Sequence, residues 1–551
     1  MKHLRKFLGC VAAIAGLGLG SVEAASAMPA EDRSTVLLAI NDVYRIEGPD
    51  GRINGGLARV RALRKELERE APGLLMLHGG DFLFPSFASR MYRGEQMVSI
   101  LNTLDGDPLA FDPRMFVVFG NHEFDRPKLK DAALLRERID QSQFRWLGGN
   151  VLFAQGSDGA SLVASKNLSR TAVIDSGGIR IGLFGLTIPT VGVEYVSDFA
   201  GEEATARELI AALKAMKAEV IVAVTHLNAA NDRRLLESLG DAGLDLVIGG
   251  HDHDSMQIQV KGRFILKADA DARTATVVRL TVKKNGLVVV KPQLRVLSGV
   301  QPSPDPQVNA LVNQWQARHE REFCASSKAG PECLEEVYGR TRSELGGEET
   351  KIRARETSLG SWITDRMIDA FKSCGAQMAF VNSGSLRINS DLPKGTTITR
   401  RHLEELFAYP APLYLLRIDG QTLAKVADHA TRGWPGSGTW LQIGGFAFKH
   451  DTKARTASDL TSISTTSSRR VLPGESILAV TSDFLINPDA DQDGYLMLNK
   501  GQVVECAANG TELKALVIRA LLAAEPAGIA PRVEGRICQG APRAPCLAAK
   551  R

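Results

Sequence analysis

What the 551-residue chain lacks narrows its function first. Charge of one sign is absent in excess: 67 Lys and Arg stand against 63 Asp and Glu, leaving +4. No basic stripe with interleaved aromatics exists, so a nucleic-acid groove has no support. Long apolar runs are missing beyond the N-terminus, and the one there, "FLGCVAAIAGLGLG", is too short to span a bilayer comfortably. Cysteine is scarce, seven in all. None has zinc-finger spacing, which argues against a cysteine-metal site.

What is present begins with a leader. Lys2, Arg5 and Lys6 precede the apolar run, and small residues follow in "VEAASAMPA". This reads as a secretory signal peptide over residues 1–27, with an N-terminal anchor as the competing reading. The chain is then exported, periplasmic or secreted, with no stable membrane insertion. Six cysteines follow the leader, an even number that suits disulfides in an oxidising compartment. Short loops favour Cys324 with Cys333 and Cys538 with Cys546, leaving Cys374 with Cys506. The sequence does not fix this connectivity.

The length predicts at least two domains. In the first, over residues 33–300, one pattern recurs. Short runs of Val, Ile, Leu and Phe end abruptly in polar residues. "TVLLAIND" ends at Asp42 and "GLLMLHGGD" at Asp81. "MFVVFGNHEFD" ends in Asn121, His122 and Asp125. "EVIVAVTHLN" ends at His226, and "LDLVIGGHDHD" at His251 and His253. Such runs predict strands buried on both faces, with helices such as "GGLARVRALRKELERE" and "TARELIAALKAMKAE" between them. In open α/β sheets, ligands bind beyond the carboxyl ends of strands. Five strand ends carrying Asp, Asn or His predict one shared rim rather than five unrelated turns. Residues 301–350 read as a partly helical linker, opened by the Pro-rich "SGVQPSPDPQ". A second α/β segment follows over 351–540. It contains the polar stretch "TKARTASDLTSISTTSSRR", expected as a loop or exposed hairpin. No internal repeat is evident.

Asp and Asn oxygens with His nitrogens suit Mn, Zn, Co, Fe or Ni. One carboxylate, Asp81, could bridge two ions, which would neutralise a phosphate and acidify a bound water. His122 lies beside Asn121, with Asp125 three residues on. That spacing lets a carboxylate orient the imidazole for phosphoryl-oxygen stabilisation or leaving-group protonation.

In order and spacing, "GGD", "GNHE", "THLN" and "GGHDHD" resemble the calcineurin-like metallophosphoesterases. With "NSGSLR", "LQIGGFAF" and "DFLINPDADQDGY" in the second half, the chain resembles the 5′-nucleotidase family. The resemblance implies an αββα-type sandwich domain followed by a smaller α/β 5′-nucleotidase C-terminal domain. It implies two divalent metal ions (Mn, Zn, Co or Fe), one on Asp42, Asp81 and His253, the other on Asp81, Asn121, His226 and His251. It places His122 and Asp125 as the catalytic pair and Arg355, Asn382 and Arg387 on the substrate side. Phe484 and Tyr409 match the two rings that clamp a base, and Asp493 an acidic position beyond them. The implied reaction is hydrolysis of nucleoside 5′-monophosphates by metal-bound hydroxide. UDP-sugar or 2′,3′-cyclic-nucleotide cleavage is the nearby alternative, and a domain rotation would bring substrate to metal. A nucleotide- or partner-binding protein with a degraded metal site is the rival of another class. Oligomeric state is left open.

Tyr44 departs from the pattern. The family motif would place His two residues after Asp42. A phenol binds metal well only as phenolate, which needs a strong Lewis acid. Tyr44 could coordinate and favour a ferric ion, point away and leave a water in its stead, or weaken the first site. The expectation is that it points away, because tetrahedral and five-coordinate sites tolerate water.

Overall fold

The computed structural model describes residues 31–49, 52–299, 302–328, 330–463, 468–488 and 492–539. The expected leader and Cys546 lie outside them. The apolar runs become strands in two stacked sheets. The seven-stranded sheet carries Arg33–Ile40, Leu75–His78 and Met115–Val118 side by side and parallel. The six-stranded sheet carries Val220–His226 parallel to Leu246–Gly249 and to Ile179–Thr187.

Side chains alternate across a strand, and the core divides accordingly. Leu37, Ala39, Leu75 and Leu77 face inward and meet Val220, Val222, Val224 and Leu246 of the other sheet. Val36, Leu38 and Ile40 face outward and pack with Leu63 and Leu67 of the helix Leu57–Glu70. On the far side, Leu209 and Leu213 of Glu202–Ala215, with Leu235 and Leu239 of Ala229–Leu239, cover Ile221 and Ala223. The result is a helix–sheet–sheet–helix sandwich. Strands buried on both faces explain why the sequence shows continuous apolar runs there.

The segment read as a linker holds a 21-residue helix, Pro306–Ser326, with Asp305 capping Gln307 and Val308 and Pro306 in its first turn. Its apolar stripe, Val308, Val312 and Trp315, joins the core of the first domain. Val337–Arg340 already pairs with Thr397–Thr399 of the second. That second domain is built on a five-stranded sheet, in which Met378–Asn382 neighbours Leu441–Gly444 and Ser476–Ser482. Ser358–Ala370 and Leu513–Ala524 cover one face, and Gly420–Arg432 covers the other. The stretch read as a loop or hairpin contains Thr456–Ile463 paired antiparallel with Ser468–Arg470. Two of the expected disulfides are present, Cys324–Cys333 and Cys374–Cys506. Among the described residues, no helix is long and apolar enough to cross a membrane.

Candidate metal centre and substrate face

The carboxyl ends of the parallel strands open on one rim, and the polar residues after them converge there. Asp42, Asp81, His251 and His253 all adopt left-handed backbone, with φ of 52°, 60°, 82° and 64°. Asp and His tolerate this region better than most residues, at a cost of about 1–3 kcal/mol each.

The donors form two groups sharing one atom. In the first, His253 Nε2 lies 3.3 Å from Asp42 Oδ1. Asp42, Asp81 and His253 are all buried, with ligand atoms within 4.8 Å of one another. In the second, His226 Nε2 lies 3.2 Å from both Asp81 Oδ2 and Asn121 Oδ1. His251 Nδ1 lies 3.2 Å from Asn121 Oδ1. Donors of one coordination sphere with bonds of roughly 2.0–2.2 Å stand about 3–3.5 Å apart. The residues therefore fit bound metal, and Asp81 would contribute to both groups.

Electrostatics agree with that fit. Burial would raise Asp81, but His226 and His122 hold it well below the usual carboxylate range. Burial disfavours charge on His226, yet the touching Asp81 pushes it up to about 9. His251, buried beside that cation, is pushed well below the ordinary imidazole range. A bound cation would take the place of the proton that Asp81 holds on His226.

His122 is set apart from the ligands. Its backbone N–H donates to Asp81 Oδ1 at 2.8 Å, and its Nδ1 meets Asp125 Oδ1 at 2.9 Å. Burial opposes charge on the ring, but Asp125 and Asp81 raise its pKa above the ordinary value. Nε2 is left facing the second domain, where Arg387 Nη2 stands 3.2 Å away. Tyr409, also from the second domain, donates its hydroxyl to Asp125 Oδ2 at 2.7 Å.

The other substrate-side residues lie less close. Asn382, buried at a strand end, donates to Asp493 Oδ2 at 2.7 Å and accepts from Ser385. Phe484 is half-buried against the core of the second domain. Arg355 is exposed, with its backbone carbonyl held by Trp440 and Gln442. Among the described residues, no ring contact joins Phe484 to Tyr409, and none of these three reaches the metal-ligating atoms.

Tyr44 corrects the expectation. It does not point away. It is 6% exposed, and its hydroxyl lies 3.0 Å from Asp81 Oδ2, 3.0 Å from His253 Nε2 and 3.4 Å from Asp42 Oδ1. Two constraints hold it there. The αL turn at Asp42 redirects the chain, and the Tyr44 N–H donates to Asp271 Oδ1 at 2.9 Å. Burial and the carboxylates Asp81 and Asp42 push its hydroxyl well above the usual phenol range, so as a phenol it donates to Asp81.

Four supporting residues escaped the sequence reading. Glu123 of "GNHE" accepts the N–H groups of Asp81, Phe82, Leu83 and Gly120 and so fixes the turn that carries Asp81. Lys267, 1% exposed, donates to Leu227 O at 2.6 Å and Gly250 O at 2.7 Å. It thereby ties together the two loops that carry His226 and His251. A lone Lys closing the apolar run "RFILK" was the visible signal. Asp271 braces the Tyr44 turn and accepts from Asn389 of the second domain. Glu349, also from the second domain, brings Oε1 to 2.7 Å from His253 Nδ1. No local pattern announces these last two.

This sandwich, with its rim of Asp, Asn and His, is that of a metallophosphoesterase. The calcineurin-like phosphoesterase profile matches residues 35–255, and the profile of the 5′-nucleotidase C-terminal domain matches 337–499. With both halves in this order, the chain belongs to the 5′-nucleotidase family of phosphoester hydrolases. The human 5′-nucleotidase is 24% identical over 435 residues, covering 73% of this chain and 71% of that protein. Among solved structures, a 5′-nucleotidase precursor from Thermus thermophilus superposes with a TM-score of 0.74 at 20% identity, covering 92% of this chain and 99% of that one. The sulfate thiohydrolase SoxB of the same organism superposes with a TM-score of 0.67 at 17% identity, over 92% and 96% of the two chains.

Proposed function

We propose that the protein releases phosphate from nucleoside 5′-monophosphates outside the cytoplasm. The observation that carries this reading is the meeting of His122 and Asp125 of the first domain with Arg387 and Tyr409 of the second, at the rim where both ligand sets converge. Bound ions, held by Asp42, Asp81 and His253 and by Asp81, Asn121, His226 and His251, would supply Lewis-acid charge and an acidified water.

The chain's own groups do the rest. Asp125 fixes Nδ1 of His122 and favours its protonated form, so Nε2 presents a proton toward the leaving oxygen. Arg387 offers a planar fork to the phosphoryl oxygens. Asn382, Asp493, Tyr409 and Phe484 form the nucleoside side, with the rings available for stacking on a base. The disulfides fit an oxidising compartment. The test is a comparison of AMP, UDP-glucose and 2′,3′-cyclic AMP as substrates. Preference for AMP supports the reading, and preference for either of the others replaces it.

A further inference from the structure

We propose that Tyr44 is a fourth ligand of the first metal position and makes that position selective for ferric iron, with a divalent ion at the second. The inference rests on the family's dimetal reading and adds to it the oxidation state of one ion.

Geometry carries the first half. The Tyr44 oxygen stands 3.0 Å, 3.0 Å and 3.4 Å from Asp81 Oδ2, His253 Nε2 and Asp42 Oδ1. Asp42 Oδ1 and His253 Nε2 are themselves 3.3 Å apart. These spacings are those of donors around one ion with bonds of roughly 2.1 Å. A tyrosine that only packed here would need a hydrogen-bond partner for its hydroxyl, and one acceptor would serve. This hydroxyl faces all three ligand atoms of one position. The ring is also fixed. His253 lies beside it at 5.4 Å between centroids, and the Arg387 guanidinium lies 5.8 Å from the ring centroid.

The donor inventory carries the second half. The first position gathers Asp42, the shared Asp81 and the Tyr44 oxygen, against one imidazole. The second has only the shared Asp81 as an anion, with the Asn121 amide and the His226 and His251 imidazoles, which ligate once metal has displaced any ring proton. Oxygen-rich anionic donors select a hard, highly charged cation, and imidazoles with an amide suit a divalent one. On coordination the Tyr44 O–H bond breaks as the Fe–O bond forms, and the proton leaves to solvent. Iron enters already ferric, so no electron is transferred.

The test is spectroscopic as well as kinetic. Chelator-stripped full-length protein is loaded with ferric iron and zinc, and metal content and visible absorption are measured. The expected result is one iron and one zinc per chain, with a visible phenolate-to-iron charge-transfer band. Zinc alone should give no colour, since its d shell is full. Tyr44→Phe should lose the band and most of the iron. Tyr44→His, which restores the family's usual donor, should hold two metals without the band and so controls for folding. Wild-type protein that holds both ions without colour or binds one ion only, or a Tyr44→Phe variant that keeps the band, would overturn the proposal. Phosphate release with zinc or manganese alone would still stand as the test of the nucleotidase reading.

Discussion

The Tyr409 hydroxyl donates to Asp125 Oδ2 at 2.7 Å, across the interface between the two domains. Asp125 in turn holds His122 Nδ1 at 2.9 Å. A residue of the second domain therefore touches the His122–Asp125 pair directly, and a phenylalanine there could not. Tyr409→Phe keeps the ring and removes the donor. A hydrogen bond to a charged group is worth about 1.5–3 kcal/mol when buried, and Tyr409 is 38% exposed. The expected loss is about 1 kcal/mol in the barrier, roughly fivefold in kcat, with KM nearly unchanged. A rise in KM with kcat intact would assign the hydroxyl to binding instead.

His122→Ala should lower kcat by about 10²–10⁴-fold. Nucleotide affinity, read by calorimetry with metals bound, should stay within about threefold, because the phosphate retains Arg387. Loss of affinity in parallel with rate would make His122 a binding group.

Lys267→Met should release the loops that carry His226 and His251. It also leaves Asp232, which meets the lysine at 2.8 Å, buried without its cation. Breaking a buried ion pair this way costs about 3–5 kcal/mol. A lower Tm together with metal affinity reduced about 10–100-fold is expected, the size typical of groups supporting a metal ligand. A stable variant with full metal content would show that the loops need no such tie.

Acid should weaken the contact between the domains. Glu404 of the second domain meets Arg90 of the first at 2.7 Å and Lys514 at 3.0 Å. Burial raises its pKa, but Lys514 and Arg90 outweigh burial and lower it below the ordinary 4.5. A carboxylate depressed in the folded state stabilises fully above its unfolded value. That contribution is lost as pH falls through the depressed one. Thermal stability should decline below about pH 4.5, and Glu404→Gln should lower Tm at neutral pH and flatten the decline. An unchanged acid slope in the variant would move the effect elsewhere.

Much of the site is legible in the sequence, for a physical reason. Strands buried on both faces must be apolar throughout, so the polar residue that ends each one stands out, and sheet topology sends all such ends to one rim. Asp42, Asp81, Asn121, His226, His251 and His253 are found this way. The direction of Tyr44 is not legible. It depends on a left-handed turn at Asp42 and on Asp271, 227 positions away. Glu349 reaches His253 only through the packing of one domain on the other. The helix Pro306–Ser326 shows the opposite case. Its stripe at 308, 312 and 315 was visible, but period alone cannot say which domain a stripe will cover.

The most direct measurement is phosphate release by folded protein stripped with chelator and then resupplied with Mn, Co, Zn or Mg. AMP, UDP-glucose, 2′,3′-cyclic AMP and a sugar phosphate serve as parallel substrates. No release is expected after stripping, and release from AMP should return, ahead of the other three, once metal is restored. Folded, metal-loaded protein that hydrolyses none of them would contradict it and leave a nucleotide-binding protein in the fold of an enzyme.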